Sequence, residues 1–470
     1  MFNNIFMNNV ILINPPTPDR KKIIRNTGCA SESKGNYLLQ PYDFLLIAGM
    51  FPSVCNVHYL DGLADNLSQE EILSDLIAKK PSLIITAIVD RLWDNDFSFL
   101  IKLRTQHPQT PILIFGDILV EKKYCEEVLQ YADGVIASPL ELNAEELTSA
   151  TRENLKADPG RYGLKNVHSG LPEGKKSSAR KLYRPRHELF LKNLYRFPFA
   201  TFKNYSTVNI SWGCPYSCSY CLASQLPSYY REAEEVLGEL RELSNLGVRE
   251  IYFADLSFGI PYANTRKVLE GMINEKLYFH WSTYFHPNQY SEEFLTLMKN
   301  AGCHTLIIGV ESYNLASLEK YGRTTPKEKI EDLIKCANRL KINICADFIL
   351  GLPNESKEDV LKTIAYAKEL NIDYASFNIA APLPGSSIKR MAIEEKRLSE
   401  DDHHYDSMGK SKVLSSNLLS NEELVELKNY AVRSFYLRPG YLMKRLSRLR
   451  SWEHFLIQWE EMIQLFRKAS

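Results

Sequence analysis

The chain has no apolar run approaching the length of a membrane span, which sets aside a membrane-embedded fold. It has no surplus of charge of either sign: 57 Lys and Arg balance 57 Asp and Glu. Nothing therefore points to a polyanion such as nucleic acid as the main partner. Met1 to Val10 lack a charged segment followed by a long apolar core, so no signal peptide is expected. Cysteine is sparse, nine in all, and only three of the nine lie close together. Reduced thiols or metal ligands in a cytoplasmic protein are expected, not a disulfide framework. What remains is a globular composition, 44% hydrophobic and 24% charged, in a 470-residue chain long enough for two or three domains.

Short apolar runs alternate with amphipathic stretches through the first part of the chain. The runs are Val10–Ile13, Asn56–Leu60, Leu83–Val89, Ile112–Gly116 and Gly134–Ser138. Between them, Ser68 to Lys80 has helical periodicity and opens on a capping box, Ser68 with Glu71. Strands alternating with helices predict a parallel sheet covered on both faces, a doubly wound α/β domain over residues 8–150. Residues 151–200 read as a linker, because Asp158 to His187 is rich in Gly, Pro, Ser, Lys and Arg.

From Thr207 the alternation resumes with longer units. Strands are predicted at Thr207–Trp212, Glu250–Ala254, His280–Phe285, Thr305–Val310, Ile342–Leu350 and Tyr374–Ala380. Helices are predicted at Glu234–Leu246, Asn264–Glu275, Ser291–Asn300, Lys327–Leu340 and Ser356–Leu370. Six βα repeats imply a partial (βα)6 TIM-type barrel over residues 201–415, with its chemistry at the C-terminal ends of the strands. A helical extension, 416–470, closes the chain with helices at Asn421–Phe435 and Trp452–Arg467. The stripe Leu424, Leu427, Tyr430, Ala431 and Phe435 is expected to pack on the barrel.

The strongest local signal is Cys214-Pro215-Tyr216-Ser217-Cys218-Ser219-Tyr220-Cys221, on the loop that leaves the first barrel strand. Soft thiolates spaced Cys-x3-Cys-x2-Cys can wrap one face of a [4Fe–4S] cluster. Three ligands leave one iron without cysteine, open to chelate a second molecule. A structural zinc site wants four closed ligands, and no His or further Cys lies between Cys221 and His280 to complete one locally. The scattered cysteines, 29, 55, 125, 303, 336 and 345, are expected to be core or inert thiols. His280, His286 and His304 lie near barrel strand ends, where a histidine either faces substrate or is structural.

The triad, with Tyr220 before its last cysteine, resembles the radical S-adenosylmethionine (radical SAM) superfamily. Trp212-Gly213-Cys214-Pro215-Tyr216, Phe253-Ala254-Asp255-Leu256-Ser257-Phe258, Gly309-Val310-Glu311-Ser312, Ile349-Leu350-Gly351-Leu352-Pro353-Asn354-Glu355 and Pro382-Leu383-Pro384-Gly385 resemble that family's strand-end motifs in order. The resemblance implies an enzyme that reductively cleaves SAM at its cluster to a 5′-deoxyadenosyl radical, which takes hydrogen from a small-molecule substrate. It implies an electron donor such as flavodoxin or ferredoxin, and neither nucleic acid nor membrane as partner. Carried over by position, Cys214, Cys218 and Cys221 hold the cluster and Asp255 sits near the methionine end of SAM. Glu311 and Ser312 meet the ribose hydroxyls, and Gly351 and Pro353 shape the adenine pocket.

A doubly wound domain before such a core, with Pro15-Pro16 after its first strand, resembles the cobalamin-binding subfamily, whose members typically methylate unactivated carbon or phosphorus. Three places depart from that pattern. The loop that carries a lower axial histidine reads Leu60-Asp61-Gly62-Leu63-Ala64-Asp65. The paired glycines after the fourth strand are Gly116-Asp117, and the motif after the fifth is Ser138-Pro139-Leu140-Glu141. Two readings stay open: cobalamin-dependent C-methylation, or a cobalamin-independent dehydration or rearrangement on a degenerate domain. A third, from another class, is a non-catalytic Fe–S or zinc module, which predicts no 5′-deoxyadenosine from SAM.

Overall fold

Val10, Ile11, Leu12 and Ile13 are all fully buried, as a strand covered on both faces requires. Alternate residues serve opposite cores: Val10 and Leu12 pack on one face of the sheet, Ile11 and Ile13 on the other. The computed structural model describes residues 9–18, 23, 25, 37–164, 178–179, 185–192, 194–225, 228–403, 405, 407, 414, 418–447 and 463. Within them β1 (Asn9–Asn14), β2 (Asn56–Asp61), β3 (Leu83–Ala87), β4 (Ile112–Phe115) and β5 (Gly134–Val135) form one parallel sheet in the order β2-β1-β3-β4-β5. The reversal of direction between β1 and β3 makes a topological switch point at their C-terminal ends. Ser68 and Glu71 form the expected capping box on helix Gln69–Lys79. Helix Tyr42–Met50 escaped prediction because Phe44 to Met50 are buried on every side, leaving no polar face to set a period.

The second sheet holds six parallel strands in the order β11-β10-β9-β8-β7-β6: β6 (Tyr205–Val208), β7 (Glu250–Phe253), β8 (His280–Tyr284), β9 (Cys303–Glu311), β10 (Asn343–Leu350) and β11 (Tyr374–Ile379). Helices Ala233–Asn245, Tyr262–Asn274, Glu292–Asn300, Lys327–Arg339 and Lys357–Glu369 fall where the periodicity put them. Their stripes bury against outward-facing strand residues such as Phe253, Trp281, Ile308 and Phe348. Each fully buried side chain of this size contributes about 1.5–3 kcal/mol, so the stripe holds the layer more than propensity does. Helix Asn421–Tyr436 covers edge strand β11. The Tyr436 hydroxyl accepts from Ala375 N at 3.1 Å and donates to Ala375 O at 2.8 Å, occupying backbone groups that an edge would expose. Leu424, Leu427, Ala431 and Phe435 of its stripe are buried, while Tyr430 is half exposed.

Two details differ from the sequence expectations. The strand expected at Thr207–Trp212 breaks after Val208, and Ser211–Trp212 pairs antiparallel with Tyr229–Tyr230. The break arises because a carboxylate, Asp255, takes the amides of Ile210 and Ser211 that a strand neighbour would have received. Both ends of the expected linker are packed: Leu155, Tyr162 and Leu164 join the first domain's core, and His187, Phe190, Tyr195 and Phe197 are buried. Its centre, with Gly174 to Ser177, lies outside the described residues, as do Cys29, His404 and nearly all of the helix expected at Trp452–Arg467.

Candidate functional site

β6 ends at Val208, and the loop beyond it carries the three cysteines. Cys218 is buried and Cys214 and Cys221 are half-buried. Cys221 N donates to Cys218 O at 3.1 Å, closing a tight turn that brings their side chains near one another. Burial pushes the Cys221 thiol up to about 12, and the negative charge of Cys218 and Cys214 adds to the effect. Two other segments hold the loop. Ser219 N donates to Tyr321 O at 2.9 Å, and Ile388 N, at the start of helix Ser387–Glu394, donates to Ser219 O at 2.9 Å. Among the described residues, no three His, Cys, Asp or Glu side chains gather around a single metal ion.

The remaining expected residues divide by what they touch. Asp255 is buried at the end of β7, and its carboxylate accepts from Ile210 N (3.1 Å), Ser211 N (2.6 Å) and Ser211 Oγ (2.6 Å). It therefore anchors the backbone that launches the cysteine loop. Burial still raises its carboxyl to about 6. Glu311 ends β9 with φ 67°, after a register shift between Gly309 and Glu311. That strained turn sets its carboxyl beside Gly309 and Arg323. A Cβ on Gly309 would lie 2.2 Å from Glu311 Oε1 and 3.0 Å from the Arg323 guanidinium, so a side chain there would displace that pair. Burial pushes Glu311 up to about 7; Arg323, 3.9 Å away, opposes the rise and Asp347 adds to it.

Ser312 does not point to open space. Its hydroxyl donates to Glu355 and lies 3.2 Å from Thr363 Oγ1. Glu355, fully buried, accepts in turn from Gly351 N (3.2 Å) and Leu352 N (3.0 Å). Ser312 and Glu355 thus shape the Gly351-Leu352-Pro353 turn from behind. Gly351 has φ 77°, and a Cβ there would meet Leu424 Cδ2 at 2.3 Å, so this turn abuts the C-terminal helix. Pro353 is half-buried beside it.

Sequence reasoning missed Arg323 and Glu355. Arg323 leaves the turn after helix Leu315–Lys320, donates to Gly309 O at 2.6 Å and lies beside Cys218. No spacing rule marks a single arginine in a loop, and only the fold returns it to the cysteines. The three histidines also separate. His280 and His304 begin β8 and β9, at the end of the barrel opposite the cysteines, and His304 Nε2 lies 2.6 Å from Glu250 Oε1. His286 follows β8 at the mouth, its ring stacked on Tyr216 at 3.6 Å.

Buried polar atoms without a partner collect at this mouth: Trp212 Nε1, Ser257 Oγ, His286 Nε2, Arg323 Nε and Thr325 Oγ1. All five can donate. The amide of Asn288 donates to His286 Nδ1 at 3.1 Å, and burial pushes the imidazolium down to about 2, so the neutral ring carries its proton on Nε2. Each such orphan costs about 1–3 kcal/mol, and a cluster of them marks where a ligand completes the structure. Donors call for an acceptor-rich ligand. An iron–sulfur cluster with its sulfides and the carboxylate and hydroxyls of SAM fit that requirement.

At the strand ends of the first domain, Asp61 fills the place of the axial-histidine loop. It accepts from Asn14 Nδ2 (2.9 Å), Leu63 N (2.9 Å), Ala64 N (3.0 Å) and the hydroxyls of Tyr59 (2.7 Å) and Tyr195. Asp117 folds back onto the amides of Asp90 (2.9 Å) and Ile118 (2.8 Å), so its carboxylate ties two loops together. The barrel reaches over these ends: Lys389 Nζ meets Glu121 Oε1 at 2.8 Å and Tyr405 N donates to Asp90 Oδ2 at 3.0 Å. On the other side of the switch point, Tyr42 stacks on Trp212, with ring centroids 6.3 Å apart, just before Cys214.

Comparison with known proteins agrees with this architecture. The Radical SAM superfamily matches residues 208–367. An uncharacterized methyltransferase of Pyrococcus horikoshii is 27% identical over 449 residues, 93% of this chain and 94% of its own. The radical SAM methyltransferase TsrM of Kitasatospora setae, solved with cobalamin and a [4Fe-4S] cluster, shares the fold at TM-score 0.61 and 17% identity. The match covers 83% of this chain and 78% of TsrM. The cobalamin-dependent SAM radical enzyme OxsB, solved with aqua-cobalamin and SAM, matches at TM-score 0.66 and 15% identity over 98% of this chain and 72% of its own. Among the described residues, no helix is long and apolar enough to cross a membrane. With the superfamily match lying over the cysteine loop and four of the five strand-end motifs, this chain is a radical SAM enzyme, for which SAM and a [4Fe–4S] cluster are the implied cofactors.

Proposed function

We propose that this enzyme is a cobalamin-dependent radical SAM methyltransferase acting at an unactivated carbon of a small molecule. The observation that carries the proposal is the relation to the Pyrococcus horikoshii methyltransferase across 93% of the chain, first domain included. Cys214, Cys218 and Cys221 hold three irons of the cluster, which when bound supplies the electron that cleaves SAM to methionine and a 5′-deoxyadenosyl radical. Arg323, beside Cys218, balances thiolate charge, and Asp255 fixes the strand end from which the loop departs. Glu311 accepts the ribose hydroxyls, Ser312 and Glu355 hold the turn at Gly351 and Pro353, and that turn shapes the adenine pocket. Cobalamin, when bound, supplies a transferable methyl group. The Asn14-Pro15-Pro16 turn and Tyr42, at the switch point between β1 and β3, would hold it, and the Asp61 loop would offer it no histidine. Asp117 is tied to the amides of Asp90 and Ile118. The setting is a reducing cytoplasm with a flavodoxin- or ferredoxin-like electron donor.

A second reading, a cobalamin-free dehydratase or rearrangement enzyme, is favoured by the contacts of Lys389 with Glu121 and Tyr405 with Asp90, which close the ends of β3 and β4 against the barrel. Cobalt and iron content of protein purified anaerobically from cobalamin-fed cells separates the two. About one cobalt per chain supports methylation, and an intact cluster without cobalt supports the second reading. Cys214→Ala, Cys218→Ala and Cys221→Ala should each abolish both the reduced-cluster EPR signal and 5′-deoxyadenosine. Persistent cleavage in any one of them refutes the ligand assignment.

A further inference from the structure

One side of the cysteine loop is gripped by the turn that follows helix Leu315–Lys320. Tyr321 O accepts from Ser219 N at 2.9 Å and from Ser219 Oγ at 3.1 Å. Gly322 comes next, with φ 75°; a Cβ built on it would lie 2.7 Å from Ser217 O and 3.8 Å from Cys218 Cα. The two backbones therefore touch, an approach that a side chain at this position would prevent. Arg323 follows, and the contact delivers its buried guanidinium to the Cys218 side chain.

The guanidinium is fixed but not spent. Nη2 donates to Gly309 O at 2.6 Å and stands 3.9 Å from Glu311 Oε1, too far for a hydrogen bond. Nε is buried without a partner. Tyr220 Oη, buried and also without a partner, faces the same cysteine. On this flank Cys218 thus meets a fixed positive charge and a spare hydroxyl. A cation or donor at a ligating sulfur draws electron density away from iron, and reduction adds one negative charge to a buried group. Both effects favour the reduced state.

We propose that Arg323 is a positioning residue that sets the reduction potential of the cluster. Held against Cys218 by the contact at Tyr321 and Gly322, its charge raises the potential and eases entry of the single electron that SAM cleavage consumes. Tyr220 adds a smaller rise, and Glu311 offsets part of it. The electron comes from the donor protein, or from dithionite in the assay, and no proton moves with it. This rests on the radical SAM reading with Cys218 as a cluster ligand. It assigns Arg323 to the cluster, a role separate from any contact with SAM.

The test is a redox titration of anaerobically reconstituted enzyme without SAM, following the reduced-cluster EPR signal. A pH of about 8.5 keeps Glu311, with its value of about 7, ionised. Loss of one hydrogen bond to a charged group corresponds to about a tenfold to hundredfold change in the reduced-to-oxidised ratio, and each tenfold is about 59 mV for one electron. Arg323→Gln should lower the midpoint by about that much, and Arg323→Lys and Tyr220→Phe by less. Glu311→Gln should raise it. Adding Arg323→Gln to Glu311→Gln should lower it again, with no carboxylate left there to compensate by taking up a proton. Iron content verifies loading; if Arg323→Gln does not load, the rise in Glu311→Gln decides. An unchanged midpoint in Arg323→Gln or in Glu311→Gln overturns the proposal, as does a fall in Arg323→Lys as large as in Arg323→Gln. An unchanged midpoint in Arg323→Gln with weaker SAM retention in equilibrium dialysis would assign Arg323 to SAM alone. Failure of the underlying reading looks different: Cys218→Ala would keep wild-type iron content and EPR signal.

Discussion

Asp255→Asn separates what the motif suggests from what the fold does with it. The carboxylate receives three hydrogen bonds, two on Oδ1 from Ser211 N and Oγ and one on Oδ2 from Ile210 N. Asparagine can keep the first two with its carbonyl, but its NH2 then faces the Ile210 amide, donor against donor. Leaving one buried amide unsatisfied costs about 1–3 kcal/mol, and weakening two charge-assisted bonds to neutral ones adds about 1 kcal/mol. A total of about 3 kcal/mol lowers the melting temperature by about 6 °C in a domain of this size. Differential scanning fluorimetry on the apo protein reads that shift, and iron content after reconstitution reads the state of the cysteine loop. Asp255→Ala, which strips all three bonds, should be worse on both counts. If Asp255 instead binds the amino group of SAM, Asp255→Asn leaves melting and iron loading at wild-type values and raises only the SAM concentration needed for cleavage. That result would refute the anchoring role.

Three further outcomes are expected. Gly351→Ala should destabilise the protein by about 2 kcal/mol or more, since its Cβ lands 2.3 Å from Leu424 Cδ2 at a φ of 77°; in chemical denaturation the combination with Leu424→Ala should lose less than the sum of the two single changes. Glu311 is raised from its ordinary 4.5 to about 7, so the folded state binds the extra proton. Its contribution is therefore full below pH 4.5 and lost as pH rises through 7, by about 3 kcal/mol in all; Glu311→Gln should flatten that part of the apo protein's stability-against-pH curve, and an unchanged slope would disprove the shift. Arg231 pairs with Glu239, whose other oxygen lies 2.7 Å from His187 Nε2, all three buried. Arg231→Met strands a buried carboxylate and should cost about 3–5 kcal/mol, whereas the double change with Glu239→Leu should cost markedly less when both are measured by urea unfolding.

Periodicity alone determined the two-part architecture, because burial on one stripe of a helix or both faces of a strand leaves its mark on neighbouring residues. Val10 to Ile13 and the stripe of Leu424, Leu427 and Phe435 are such marks, and they became β1 and the helix that closes β11. The cysteine triad was legible for the same reason: its chemistry is packed into eight consecutive residues. Helix Tyr42–Met50, apolar all round, carried no period and was not found. Side-chain direction was also invisible in the sequence. Asp255 and Ser312 sit in the expected motifs, yet they turn inward to satisfy buried amides and a buried carboxyl, because an unpartnered backbone donor costs as much as a ligand contact returns. Arg323 beside Cys218, and Arg323 beside Glu311 and Gly309, join segments that lie apart in the chain. Only the fold brings them together, so the charge around the cysteines was decided by tertiary structure.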